Sequence, residues 1–174
     1  MTMSQFYTKL QSTEMRFGYQ WKILSLPGVP PGDEVFMSSA AKPGRTLTPA
    51  ETTYHAFKLK LPGTVNYEGS WSTAIKCTND MKIYNAINKL INEYAPGGEE
   101  SKKGNAGKHT LPTVDGSVQL LGADLVTPVS TYKFYGIFPT SIGEITLDQA
   151  NTDIVTFTVE WAYQYWEVVS NING

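Results

Sequence analysis

Between Val155 and Trp166 apolar and polar side chains alternate residue by residue. Val155, Phe157, Val159, Trp161, Tyr163 and Tyr165 interleave with Thr156, Thr158, Glu160, Ala162, Gln164 and Trp166. A period of two puts each set on one side of an extended chain, so the run predicts a β-strand with a drier and a wetter face. A single strand from Ile154 to Trp166 would reach roughly 40 Å at about 3.3 Å per residue, far beyond the usual strand of about 5 to 6 residues. The same period predicts strands at Phe17, Tyr19, Trp21 and Ile23, at Phe57, Leu59 and Leu61, and at Trp71, Thr73, Ile75 and Cys77. Val35 to Ala41, Ser117 to Leu121 and Tyr132 to Ile137 supply further candidates. The pairs Pro27-Gly28, Pro43-Gly44 and Pro62-Gly63 predict turns, the last interrupting a strand, and Thr46 to Thr53 is expected to be an irregular loop. A tight corner at Gly136 to Glu144 leads into the final hairpin, whose connection is expected near Gln149 to Asp153.

One segment has the other period. Met81, Tyr84, Ile87, Leu90, Ile91 and Tyr94 recur at spacings of three and four behind Asn79-Asp80, which suits a helix start, and Ala95-Pro96-Gly97-Gly98 stops it. Glu99 to His109 lacks apolar periodicity and is expected to be an exposed, flexible loop within about residues 95–115. Many strands and a single helix predict a mainly β protein, an antiparallel β-sandwich or barrel with one flanking α-helix. With 174 residues and no sharp shift in composition, residues 1–174 are expected to form one domain.

Composition adds a hint of assembly. Charged residues make up 17% of the chain against about 25% in ordinary soluble proteins, while aromatics reach 12%. A low-charge, ring-rich surface suits burial against something else, although a plain β-rich domain has a similar make-up. The net charge of -2 lacks the basic footprint of a nucleic-acid or acidic-membrane binder. Neither a secretory leader in Met1 to Leu10 nor an apolar run of about 20 residues is present, so a soluble protein made in the cytoplasm is expected. The single cysteine, Cys77, reads as a small buried side chain.

Candidate chemistry is sparse. Gly104 to Thr110 superficially matches a phosphate-binding loop, but Lys102 stands where the first glycine belongs and His109 where Ser or Thr should hold magnesium. It also follows a helix, whereas such a loop joins a strand to a helix. His55 and His109 have no metal-ligand spacing with Cys77 or with carboxylates. Glu144, Asp148, Asp153 and Glu160 gather about the final hairpin, where paired acids could hydrolyse glycosides, but solvated or interface charge is the simpler reading. Trp161, Tyr163, Tyr165 and Trp166 could form a stacking platform for sugar or nucleic acid; without basic residues between them a core or subunit contact is favoured. No catalytic, cofactor or metal residues are assigned.

The C-terminal third resembles the tail tube proteins of contractile-tailed bacteriophages. The resemblance lies in Gly136, Phe138, Pro139 and Thr140 at the corner, Gly143, Glu144, Leu147 and Asp148 after it, and Thr156, Phe157, Val159, Ala162, Tyr165, Trp166 and Glu167 in the last strand. It is dense over about the last forty residues and looser at Trp71 to Lys76, Asn79-Asp80 and the helix. It implies hexameric rings whose inner strands join in a continuous barrel and which stack into a tube inside a contractile sheath. It also implies a structural virion protein without catalysis, a conduit for the genome. Implied partners are other copies of the chain, the sheath, a baseplate tube initiator and a tape-measure protein, with DNA passing through unheld and no membrane insertion. Related tubes occur in type VI secretion and other contractile injection systems; a phage carbohydrate- or receptor-binding β-sandwich is the competing class. Trp161 joins the motif residues as a candidate for the assembly strand. Glu144, Asp148 and Glu160 are candidates for the lumen by position, where an acidic lining would let DNA slide. Lys58 and Lys60 would oppose such sliding if luminal.

Overall fold

Alternation becomes pairing in this chain wherever one face of a strand can be buried. The computed structural model describes residues 2–4, 8, 16–96, 107, 110, 112–146 and 152–171. The strands are β1 (Trp21–Ser25), β2 (Met37–Ala40), β3 (Arg45–Tyr54), β4 (Phe57–Tyr67) and β5 (Ser70–Lys76). After helix α1 (Lys82–Tyr94) come β6 (Gly116–Leu121), β7 (Pro128–Tyr135), β8 (Phe138–Ile142), β9 (Thr156–Ala162) and β10 (Tyr165–Asn171). Two four-stranded sheets form, β1-β6-β7-β10 and β2-β5-β9-β8, and β3 and β4 make a separate two-stranded ribbon. All pairings are antiparallel.

The two sheets share one core. Trp71 of β5 stacks on Phe134 of β7 at 4.8 Å, and Phe134 meets Tyr163 edge-on at 5.2 Å. Ile75, Phe134, Ile137, Val159 and Trp161 have no exposure at all. Burying one such side chain contributes about 1.5–3 kcal/mol. The indole Nε1 of Trp161 donates to Thr73 Oγ1 at 2.9 Å, so these two core groups satisfy each other, whereas the buried Tyr163 hydroxyl has no hydrogen-bond partner among the described residues. Helix α1 buries Ile83 and Ile87 and sets Tyr84 against Phe157 at 5.3 Å and Tyr94 against Phe138 at 5.9 Å. Its main seat is therefore the edge of the second sheet, at β8.

Several elements differ from the sequence reading. The long last strand is two strands in two sheets. Tyr163 N–H donates to Gly69 O, beside β5, and Gln164 N–H donates to Tyr135 O in β7, both at 3.0 Å. The chain changes sheet there and the alternation slips by one: Trp161, Tyr163 and Trp166 are buried, whereas Tyr165 is 41% exposed. Rings at 161, 163, 165 and 166 made both phases look equally apolar.

The expected loop at Thr46 to Thr53 is strand β3, and Pro62-Gly63 does not interrupt β4 but forms a bulge within it. Phe17 and Tyr19 lie exposed ahead of β1, and Asp33–Phe36 forms a 3-10 turn before β2. Helix α1 begins after Met81, whose backbone is left-handed, with Asp80 Oδ1 accepting the Lys82 N–H at 3.3 Å. The helix buries Ile83, absent from the predicted stripe, while Met81 and Tyr94 are only half-buried. Cys77 is half-buried, its thiol 3.6 Å from Thr78 O. Most of the loop expected at 95–115, including His109, lies outside the described residues, as do Leu147 and Asp148.

Candidate assembly surfaces

Each strand of the second sheet has a buried side that fixes what its other side displays. Trp71, Thr73 and Ile75 of β5 face Trp161, Val159 and Phe157 of β9 across the core side, in register. The outward set is then Ser70, Ser72, Ala74 and Lys76 opposite Ala162, Glu160, Thr158 and Thr156. Ser141 of β8 pairs with Glu160, and Thr140 Oγ1 donates to Glu160 O at 3.0 Å. Ser39 of β2 pairs with Ala74. This wall is smooth: apart from Glu160 and Lys76, these eight paired residues of β5 and β9 are no larger than threonine. Its edges, β2 and β8, have no partner strand within the chain among the described residues.

The outward side of the first sheet is different in kind. Tyr135 and Tyr165 stack at 4.6 Å, Tyr135 Oη donates to Glu167 at 3.3 Å, and Lys133 lies 4.7 Å above the Tyr135 ring. Lys133 also pairs with Asp115 at 2.9 Å, a contact that raises its pKa. Rings and paired charges occupy the β7–β10 part of this side, while Ser25 with Ser117 and Gln119 with Thr131 hydrogen-bond across the rest of it; short side chains dominate the other sheet.

The motif residues divide between holding the walls and displaying them. Gly136 has φ 61°, a left-handed turn that carries the chain from β7 into β8, and Phe138 and Pro139 follow against the helix and core. Gly143 N–H donates to Thr158 O at 2.6 Å, extending the β8–β9 pairing. Phe157, Val159 and Trp161 are core, and Trp166 is 8% exposed, meeting Tyr132 at 5.5 Å and Tyr67 at 6.0 Å. Glu144 and Glu160 are exposed, the former past the end of β8, the latter central in the smooth wall; Asp148 lies outside the described residues. Three of the four terminal rings are buried, and the exposed one, Tyr165, is stacked on Tyr135. His55 sits in the β3–β4 turn against the Tyr54 ring at 4.5 Å.

Sequence reasoning found the Phe57 to Leu61 half of β4 but missed β3 and the continuation of β4 past Pro62-Gly63, and so the ribbon they form, every residue of which is exposed. The signal was present: Phe57, Leu59, Leu61, Val65 and Tyr67 all occupy odd positions.

Residues 33–169 match the family model described as phage tail tube protein. A chain of the anti-feeding prophage baseplate superposes with a TM-score of 0.64 at 15% identity, covering 93% of this chain and 99% of its own. A chain of the sheath-tube complex of an extracellular contractile injection system, in its extended state, gives 0.58 at 12% identity over 93% and 97%. A chain from the tail of an empty GTA particle gives 0.50 at 9% identity over 90% and 100%. At such identities the likeness is one of fold. No curated protein matches the sequence significantly.

Proposed function

The chain belongs to the phage tail tube protein family, and on that premise we propose that it is the structural subunit of a virion's inner tail tube. Copies close into hexameric rings, rings stack into a tube within a contractile sheath, and the tube conducts the genome. The protein works without catalysis. The family match carries this reading; the six-fold symmetry of the anti-feeding prophage baseplate supports the ring number.

Geometry suggests how the ring closes. The free edges β2 and β8 lie on opposite sides of the second sheet and can pair between neighbours, the remedy for unpaired strand edges. Repeated around a ring, the smooth face of that sheet becomes the wall of the hole. Short hydroxyl side chains leave room, and Glu160 repels a phosphate backbone rather than holding it. Glu144 would stand at the rim of this wall; Asp148 completes the proposed lumen acids from sequence alone. Lys58 and Lys60 are not on this face but on the ribbon, where Lys60 pairs with Glu51 at 3.7 Å. The bulkier first sheet then turns outward to the sheath. Residues 1–174 act as one domain in this scheme, begun at a baseplate initiator and holding the tape-measure protein until ejection. A protein-delivering injection system would use the same wall for another cargo.

Electron microscopy of the concentrated protein, with particle mass on the same sample, tests the reading. Hollow six-fold rings or tubes are expected, with or without a baseplate template. A chain that stays monomeric even with the template would overturn it.

A further inference from the structure

The two sheets leave the space between them unfilled at one corner. Trp21 pairs with Leu120, Ile23 with Val118, and Val118 in turn with Tyr132, so these side chains share the inward face of the first sheet. Ala40 of β2 is opposite the buried Thr73 and stands on the inward face of the second sheet. In the middle of the sandwich Trp71 stacks on Phe134, but at this corner β2 offers only the methyl group of Ala40 before the chain leaves through Ala41, Lys42 and Pro43. A cavity of about 330 Å³ results, floored by Trp21, Val118, Leu120 and Tyr132 and walled by Ala40 and Ala41. Protein interiors are close-packed, so a void of this size between two edge strands, β1 and β2, is an unusual feature.

The mouth of the cavity is positive. Arg16 and Lys42 both line it and both are exposed, and Lys42 Nζ lies 5.2 Å above the Tyr132 ring. Arg16 is positioned by a turn built around the buried Gln20. Its Nη1 donates to Leu121 O at 3.0 Å and to Gln20 O at 3.4 Å, while Gln20 accepts the Phe17 N–H on Oε1 at 2.8 Å and donates its own N–H to Phe17 O at 3.2 Å. Both acceptors of Arg16 are neutral carbonyls, and a guanidinium has further N–H groups to give. The ion pairs of the described residues are Lys60–Glu51, Lys82–Asp33 and Lys133–Asp115, so no described carboxylate neutralises Arg16 or Lys42.

We propose that this cavity binds a single-chain carboxylate, a fatty acid of medium length, with its alkyl chain against Trp21, Val118 and Leu120 and its head between Arg16 and Lys42. Two features select this ligand. The apolar floor with cations only at the mouth complements an anion that carries its charge at one end, and the arginine fork matches a carboxylate. The volume lies at the low end of ligand pockets, about 300–1,000 Å³, which suits one chain and not the two of a membrane phospholipid. The bound chain would bridge the edge strands β1 and β2, adding apolar contact where the two sheets have none of their own.

Calorimetric titration of octanoate into the free subunit tests the site, at a dilution where the particle mass is that of one chain. Saturable one-to-one binding is expected, with octanol about tenfold or more weaker and octyltrimethylammonium not bound. Methyl resonances of Val118 and Leu120 are expected to shift with occupancy. Lys42→Glu, on the surface, keeps the fold and weakens octanoate about tenfold while leaving octanol unchanged; Ala40→Leu fills the cavity and abolishes both. Octanoate bound no more tightly than octanol, uptake without saturation, or methyl shifts that bypass Val118 and Leu120 would each overturn the assignment. So would undiminished octanoate binding by Lys42→Glu, a result that stands even if Ala40→Leu does not fold. None of these outcomes depends on whether the chain forms tubes.

Discussion

Val159 and Trp161 have no exposure, and the Trp161 indole is satisfied by the Thr73 hydroxyl at 2.9 Å. A carboxylate at either position would be buried without a partner, a cost that exceeds the whole stability of many domains. Val159→Asp and Trp161→Asp are therefore expected to yield insoluble or unfolded protein, while Thr158→Ser, one residue away on the outward face, melts within a degree or two of the unsubstituted chain. Thr73→Val is subtler: it keeps the shape and strands the indole N–H, for an expected loss of about 1–3 kcal/mol in urea unfolding. A soluble, normally folded Val159→Asp would show that the strand phase is wrong. At this scale the sequence was legible over Phe157 to Trp161, because one face there is wholly apolar and the other wholly polar. It was not legible at Tyr165 and Trp166, where rings occupy both phases and only the hydrogen bonds of Tyr163 and Gln164 reveal the change of sheet.

Elements were legible in proportion to the burial of their faces. The strand β5 and the helix were anticipated because each has a stripe that must go inward. The ribbon was anticipated only at Phe57 to Leu61, since nothing in it is buried within one subunit and Pro49 and Pro62-Gly63 look like breaks until they are seen to oppose each other in a bulge. The smooth wall was hidden for a related reason: Ser70, Ser72 and Ala74 carry no chemistry singly and gain meaning only beside Thr158 and Glu160. The start of helix α1 offers a test at this scale. Asp80 is held below the ordinary carboxylate value of 3.8, first by the Thr78 hydroxyl and then by the Lys82 N–H. A lowered folded pKa means that its contribution is complete above pH 3.8 and is lost as pH falls through the lower folded value. Protection factors of the amides at residues 82–85, corrected for the intrinsic exchange rate, are expected to fall below pH 3.8 ahead of those of the sheets, and Asp80→Asn to remove that pH dependence while lowering protection throughout. Exchange that follows the sheets at every pH would remove Asp80 as the local clasp.

Over the whole molecule, the proposed conduit rests on the contrast between two walls. The first sheet shows stacked tyrosines and the Lys133–Asp115 pair; the second shows hydroxyls and a single central acid. If the second wall lines the tube, Glu160 recurs at one height in every ring, and a change that is trivial in one subunit becomes a belt of charge. Glu160→Lys shifts the formal charge of the chain from -2 by two units to 0 and disturbs no core contact, so rings and tubes are expected to form as before. The belt would now bind phosphate. Each Lys that meets a phosphate releases a condensed counterion and steepens the salt dependence of binding by about 0.9 in log units. Tubes of Glu160→Lys should therefore co-sediment short duplex DNA at low salt and release it as salt rises, whereas unsubstituted tubes and Lys58→Glu tubes should not retain it. Virions carrying the change should adsorb normally and eject slowly. Equal DNA retention by Glu160→Lys and unsubstituted tubes, with both intact in the microscope, would put the smooth wall elsewhere than the lumen and turn the aromatic sheet inward instead.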